Sequence, residues 1–271
     1  MTLQKFSIEA VQKARQHICA QLVLPSSEQQ PVKELNLEPA KETPEPSSLD
    51  ALGNLFRAGG FVDVSTPAPN EEGRWFISTI DPAAAVKKLP GLSIKSGVRL
   101  VTYLQRQPEG GLGVTWALPD IMSTTAQLET ALETAGDSST PPRPQGALSH
   151  LMESIEGNCT PASFIVASLL MREWRELGRT GINHRWSHHR LIASVPFEQR
   201  KQAWQWQAEP PKNLFPKVKV QADRSAVVEF FSCRITSPVA IFRHLDQYPP
   251  NSYRPKTQDR AIAVLQKSST K

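Results

Sequence analysis

Proline placement constrains this chain more than any other feature. Proline accounts for 23 of 271 residues, whereas average usage is about 5%. Proline fixes φ and removes a backbone donor, so a cluster of prolines marks a place where neither helix nor central strand continues. Pro25, Pro31, Pro39, Pro44 and Pro46 fall in a stretch also rich in Ser, Glu and Gln. Such a composition buries too little apolar area to offset chain entropy, and residues 25–46 are read as a flexible linker. A second break, GDSSTPPRPQG over 136–146, has the same character. Five segments follow: an N-terminal amphipathic helix (1–24), a linker (25–46), a module over 47–135, a linker (136–146) and a basic, Trp- and His-rich module over 147–271.

Leu3, Phe6, Val11, Ala14, Ile18 and Leu22 recur at helical spacing in the first segment. Such a helix is marginal alone in water. It either docks on the body of the chain or serves as a tethered partner-binding peptide. In the middle segment, Ser47 or Ser48 opens a helix to 56, and strands follow over 61–64 and 74–80. Asp81–Pro82 starts a helix that reaches about 89. Residues 97–106 and 113–118 form a hairpin around the PEGG turn. Asp120 caps a last helix over 121–135. The third segment reads as a short helix over 146–156 and then a buried helix over 162–177, with Thr160 as cap and Pro161 in its first turn. A loop and strand follow over 181–194, then a helix over 196–207. Strands run over 217–220, 226–235 and 240–244, and a final element over 261–265. The expected class is α+β, with two antiparallel-sheet modules and packed helices.

The charge is uneven. The formal net charge is +5, yet residues 172–271 hold 18 basic and 8 acidic side chains, a net of +10. Trp174, Trp186, Trp204 and Trp206 lie in the first part of that region among arginines. Basic charge favours anionic partners, and aromatic faces between arginines can stack on unpaired bases. Arg179, Arg185, Trp186, His188, His189 and Arg190, with Arg243, His244, Tyr248 and Tyr253, are the expected partner-binding surface. The first expectation is a non-enzymatic binding or assembly protein docking on an acidic protein partner or surface. A single-stranded nucleic-acid binder, RNA above all, is the alternative on the same residues. The bland reading is a solvated basic face, with Tyr248 and Tyr253 pinning an irregular corner.

Catalytic and metal chemistry find little support. Gly110, Gly111 and Gly113 lie between two strands, so they are read as turn chemistry and not as a phosphate loop. His184 and His188 stand four apart, but no second ligand pair has zinc spacing. Cys159 precedes a helix start, where a thiol pKa is lowered, yet no nucleophile–base–orienter pattern is present; no cofactor is expected, and a small enzyme with a Cys–His or metal site is the third reading, behind the two binding ones. Three scattered cysteines make no disulfide framework. The longest largely apolar stretch, 164–171, is far short of the about twenty residues a spanning helix needs. Lys5, Glu9, Lys13 and Arg15 interrupt the N-terminus where a signal peptide would be apolar. A cytoplasmic setting is expected.

The segments TPASFIVASLLMREWRELGRTGINHRWSHH, starting at Thr160, and IFRHLDQYPPNSYR, starting at Ile241, resemble parts of an uncharacterised conserved protein family of cyanobacteria. The resemblance is confined to about the last 120 residues. It implies a cyanobacterial cytoplasmic or stromal-side setting, in which basic surfaces meet acidic protein assemblies or anionic thylakoid surfaces. It assigns no activity and no functional residue.

Overall fold

The computed structural model describes residues 1–29, 72–136, 140–196, 204–207 and 209–266. The expected helix over 47–56, the strand over 61–64 and most of the first linker lie outside them. The fold is α+β, with helices packed on antiparallel sheets, as the patterning implied. The strands are β1 (Thr2–Lys5), β2 (Trp75–Ile77), β3 (Leu92–Ile94), β4 (Val98–Gln107), β5 (Gly110–Pro119), β6 (Ile155–Gly157), β7 (His189–Ile192), β8 (Trp204–Trp206), β9 (Lys217–Val220), β10 (Ala226–Arg234), β11 (Ala240–Tyr248) and β12 (Lys256–Leu265). The helices are α1 (Ile8–Gln21), the single turn α2 (Ser26–Gln29), α3 (Thr125–Ala135) and α4 (Pro161–Glu176).

A seven-stranded sheet runs β1-β9-β10-β11-β12-β8, and β7 pairs with β10 beyond the end of β9. A three-stranded sheet is ordered β2-β4-β5, and β3 pairs with β6. Between the two larger sheets lies α4. Every residue from Ser163 to Trp174 is buried, the pattern of a helix apolar on all sides. Its start is as the sequence implied: the Thr160 hydroxyl accepts from the Ser163 N–H, and Pro161 takes the first turn.

One apolar core joins Val11 and Ile18 of α1, Ala85 and Leu100, Phe164 and Leu169 of α4, and Val228 and Phe230 of β10. The β3–β6 pair also spans the break at 136–146. The two expected modules therefore share packing. Residues 140–146 do not form an open linker: Pro142 and Pro144 are buried, and the Trp116 Nε1–H donates to the Pro142 carbonyl at 2.6 Å. The first linker likewise begins in structure, since α2 buries Glu28.

Other local expectations shift. The first residues pair with β9 as a strand, and the helix starts only where the Ser7 hydroxyl caps it by accepting from Ala10 N–H. Helix α1 is docked through Val11 and Ile18, not tethered. The helix expected from Asp81 is a 3-10 turn, Pro82–Ala85, with Asp81 as its cap. Helix α3 starts at Thr125, where Gln127 Oε1 accepts from both Thr124 N–H and O–H; Asp120 heads only a short turn. The helix expected over 146–156 is a 3-10 turn followed by β6. Residues 204–206 are strand, not helix. Strand β12 is ten residues long, because its polar half pairs with β11 instead of facing a core.

The glycines of β5 do more than turn the chain. The segment after α4 runs flush against them, with Thr180 N–H donating to the Gly111 carbonyl and Ile182 N–H to the Glu109 carbonyl, each at 3.2 Å. A Cβ at Gly113 would sit 1.9 Å from the Leu177 carbonyl oxygen. The seam therefore exists only without side chains at this position, and it fixes where α4 ends. Gly113→Ala should lower stability by about 1–3 kcal/mol, the usual cost of overpacking, seen as a lower urea midpoint with an unchanged slope.

Candidate functional site

The end of α4 supplies the centre of the site. Arg172 is 3% exposed and donates to both oxygens of Asp246 on β11, at 2.6 and 2.9 Å. A third bond reaches Asp259 on β12 at 2.6 Å. Burial works against the Arg172 charge, but the two carboxylates outweigh it and raise its pKa further. Burial also works against a charged Asp259, yet the His244 bond and the Arg172 charge hold that carboxyl well below its usual range.

A chain of hydrogen bonds leads on from Asp259. His244 Nδ1 lies 2.8 Å from Asp259 Oδ1, its Nε2 lies 2.7 Å from Ser232 Oγ, and Ser232 Oγ lies 2.8 Å from His189 Nδ1. Burial lowers the pKa of both imidazoles; His189, next to His244, Arg234 and Arg15, falls to about 3. Both rings are thus neutral near pH 7. A carboxylate only accepts, so His244 Nδ1 carries the hydrogen and its Nε2 accepts from the Ser232 hydroxyl. The Ser232 oxygen then accepts from His189 Nδ1–H. The polarity of the whole relay follows from one charge.

Serine, histidine and aspartate at these distances are the parts of a hydrolytic triad, but the arrangement is not one that reacts. Ser232 has no exposed surface. Its hydroxyl is held between two imidazoles, and it sits in mid-strand, where neighbouring backbone N–H groups belong to the β10 ladder. No donor pair is left to stabilise an oxyanion. What this network does is fix the floor of a cleft.

That cleft has a volume of about 820 Å³, and its lining includes Arg172, Arg175, Arg179, Arg185 and Arg234, together with four histidines. Among the described residues, only Glu176 and Asp259 bring acidic groups to it. The Glu176 carboxylate accepts from the backbone N–H of Arg185 and Ser187, and Asp259 is held by Arg172 and His244. Arg234 donates to the Pro238 carbonyl. Arg175, Arg179 and Arg185 enter no ion pair among the described residues.

Helix α1 closes the back of the site. Arg15 Nε bonds Glu173 at 2.6 Å, and its Nη atoms donate to the carbonyls of His189 and Trp186. Trp186 is 7% exposed. Its Nε1–H donates to Glu173 at 2.6 Å, Arg15 lies 4.6 Å from its centroid and His189 stacks at 5.3 Å.

The structure brings together six of the ten expected surface residues: Arg179, Arg185, Trp186, His188, His189 and His244 all line the cleft. It separates the other four. Arg190 and Arg243 pair with Cys233 and Phe231 on β10, on the sheet face opposite Ser232 and His244. There Arg243 bonds Glu229. Tyr248 and Tyr253 are buried under α4, bonded to Ser168 at 2.8 Å and Ser163 at 2.6 Å; both pin the corner. Cys159 meets no histidine: its backbone N–H donates to Tyr253. Among the described residues no three His, Cys, Asp or Glu side chains are grouped to hold a metal, and no helix is long and apolar enough to cross a membrane. Arg172, Arg175, Ser232, Arg234 and Asp259 were missed. The spacing of Arg172 and Arg175 in the last turns of α4, with the expected Arg179 just beyond, is the available signal for two of these arginines.

No protein-family model, curated protein or solved structure matches this chain.

Arg172→Met should cost about 3–5 kcal/mol, because it leaves Asp246 buried and uncompensated. Arg243→Met should cost less than Arg172→Met, because Arg243 is half exposed and Lys217 still pairs with the buried Glu229 carboxylate; urea unfolding measures both. Acid should act through His189 and His244. Their folded pKa values lie below the unfolded value of about 6.5, so the unfolded chain binds more protons between the two. Their contribution is complete above about pH 6.5 and is lost as pH falls toward the folded values. Unfolding midpoints should therefore drop between about pH 7.5 and pH 5, and His189→Gln should reduce that drop.

Proposed function

We propose that this is a binding protein whose basic cleft takes an acidic segment of a protein partner, in a cytoplasmic setting. The observation that carries this reading is the imbalance of partners inside the cleft. Its carboxylates are occupied by internal donors, while Arg175, Arg179 and Arg185 are left without counter-charges among the described residues. Guanidinium forks match carboxylates in bidentate geometry, and a concave, cationic surface concentrates anionic ligands before contact. The sealed Ser232 supports binding over chemistry. Trp186 is buried, with Arg15 and His189 packed on its ring, which withdraws it as a platform for an unpaired base and favours an acidic peptide over single-stranded nucleic acid.

Fluorescence anisotropy with labelled oligoglutamate and with single-stranded RNA of equal charge tests the reading at low and physiological salt. Oligoglutamate should bind the more tightly at physiological salt, and the Arg179→Glu, Arg185→Glu double variant should weaken it by at least about tenfold. Tighter RNA binding that survives physiological salt and quenches tryptophan would replace this reading with the nucleic-acid one.

A further inference from the structure

A second cavity, distinct in its floor from the basic cleft, surrounds Arg106 of β4. It has a volume of about 430 Å³ and lies between the end of α1, the α2 turn and the segment that follows α4. Arg106 is 4% exposed. Among the described residues, none of its three guanidinium nitrogens has a hydrogen-bond partner. An arginine in this position stays charged, and a buried charge with unused donors is among the costliest groups a fold can carry. Native structures satisfy such groups almost without exception.

The Glu28 carboxylate does not do so. Glu28 acts on Arg106 electrostatically, but its oxygens accept from Ser78 Oγ at 2.5 Å and from Thr79 N–H and O–H at 2.7 Å. The carboxylates that line the cavity are occupied as well: Glu173 by Arg15 and Trp186, Glu176 by backbone N–H groups. A second cation points the same way, since Arg179 lines the cavity and its Nε is also buried without a partner among the described residues.

The guanidinium has a place made for it. Gly111 faces Arg106 across the β4–β5 pair, and a Cβ there would lie 2.7 Å from Arg106 Nη1. The absent side chain leaves room for the planar fork beside the Thr180 hydroxyl, which holds the Gly111 N–H.

We propose that the Arg106 cavity is a binding site for a small oxyanion group, carboxylate or phosphate, with Arg106 as the fork at its floor and Arg179 at its side. The site is separate from the acidic-segment reading of the cleft: the two cavities share Glu176, Arg179 and His184, but Arg106 lines only this one. Arg179 can serve either cavity, so the two readings are told apart at Arg106: an Arg106 variant should lose small-anion binding and keep oligoglutamate binding.

The test is isothermal titration calorimetry of the full chain with inorganic phosphate and, in a second arm, acetate, with ionic strength held constant by sodium chloride. Saturable one-to-one binding of at least one anion is expected, and the tighter of the two identifies the group recognised. Arg106→Met should abolish it. Arg106→Lys, which keeps the charge but lacks the fork, should weaken it by at least about fivefold and carries the test if the Met variant does not fold. No heat beyond that of chloride, or the same affinity in Arg106→Met, overturns the proposal. If only the Lys variant folds, unchanged affinity in it does the same.

Discussion

The three bonds that Arg172 makes to Asp246 and Asp259 set the terms for the rest of the structure. A buried guanidinium survives only where acceptors meet its donors, and here they come from two adjacent strands. Helix α4 therefore has one register against the seven-stranded sheet, the one that puts Arg172 over β11 and β12. Apolar burial along α4 supplies most of the driving force for docking. It does not choose between positions a turn apart on an all-round apolar helix. The ionic contact does, as do the Ser163–Tyr253 and Ser168–Tyr248 hydroxyl pairs spaced along the same helix.

The same contact orders the polar floor of the cleft. Because Arg172 keeps Asp259 charged, His244 must present its hydrogen to that carboxylate. Every donor and acceptor up to His189 is then assigned. The identity of the residues alone would suggest hydrolysis. Their environment argues otherwise, since a serine enclosed by two rings and embedded in a ladder has neither an approach path nor an oxyanion partner. Side-chain composition and interatomic distance are thus insufficient to define a triad; exposure and free donors decide.

Features carried by local chemistry could be read from the sequence. The Thr160–Pro161 start of α4, the β4–β5 hairpin and the alternating strands β9 and β10 each follow from adjacent residues. The seven-stranded sheet and the cleft do not. Arg172 meets partners 74 and 87 residues away, and nothing near any of the three marks the meeting. The glycines of β5 show how local reading misleads. In sequence they look like a turn; in the fold they are the flat surface that the end of α4 requires. Prolines misled in a related way. Those at 142 and 144 interrupt secondary structure as expected, yet both are buried, because a chain barred from helix can still pack and offer its carbonyl to a neighbouring tryptophan N–H. The surface residues divided by strand parity, so His189 and His244 reached the cleft, while Arg190 and Arg243, one position on or before, faced away.

The end of α4 explains how a chain with only a modest net charge concentrates unpaired cations. Its last turns carry Arg172, Glu173, Arg175 and Glu176, followed by Arg179. A helix C-terminus favours positive charge through its exposed carbonyls, so basic residues are well placed there. The acidic residues between them turn to internal donors: Glu173 to Arg15 and Trp186, Glu176 to the backbone of the following turn. Arg172 turns inward to the sheet, and Arg175 and Arg179 are left facing solvent-filled space. Acids used for structure and bases left out of ion pairs among the described residues give a local surface far more cationic than composition implies. That division is made by hydrogen bonds, which is why it is legible only once the fold is in hand.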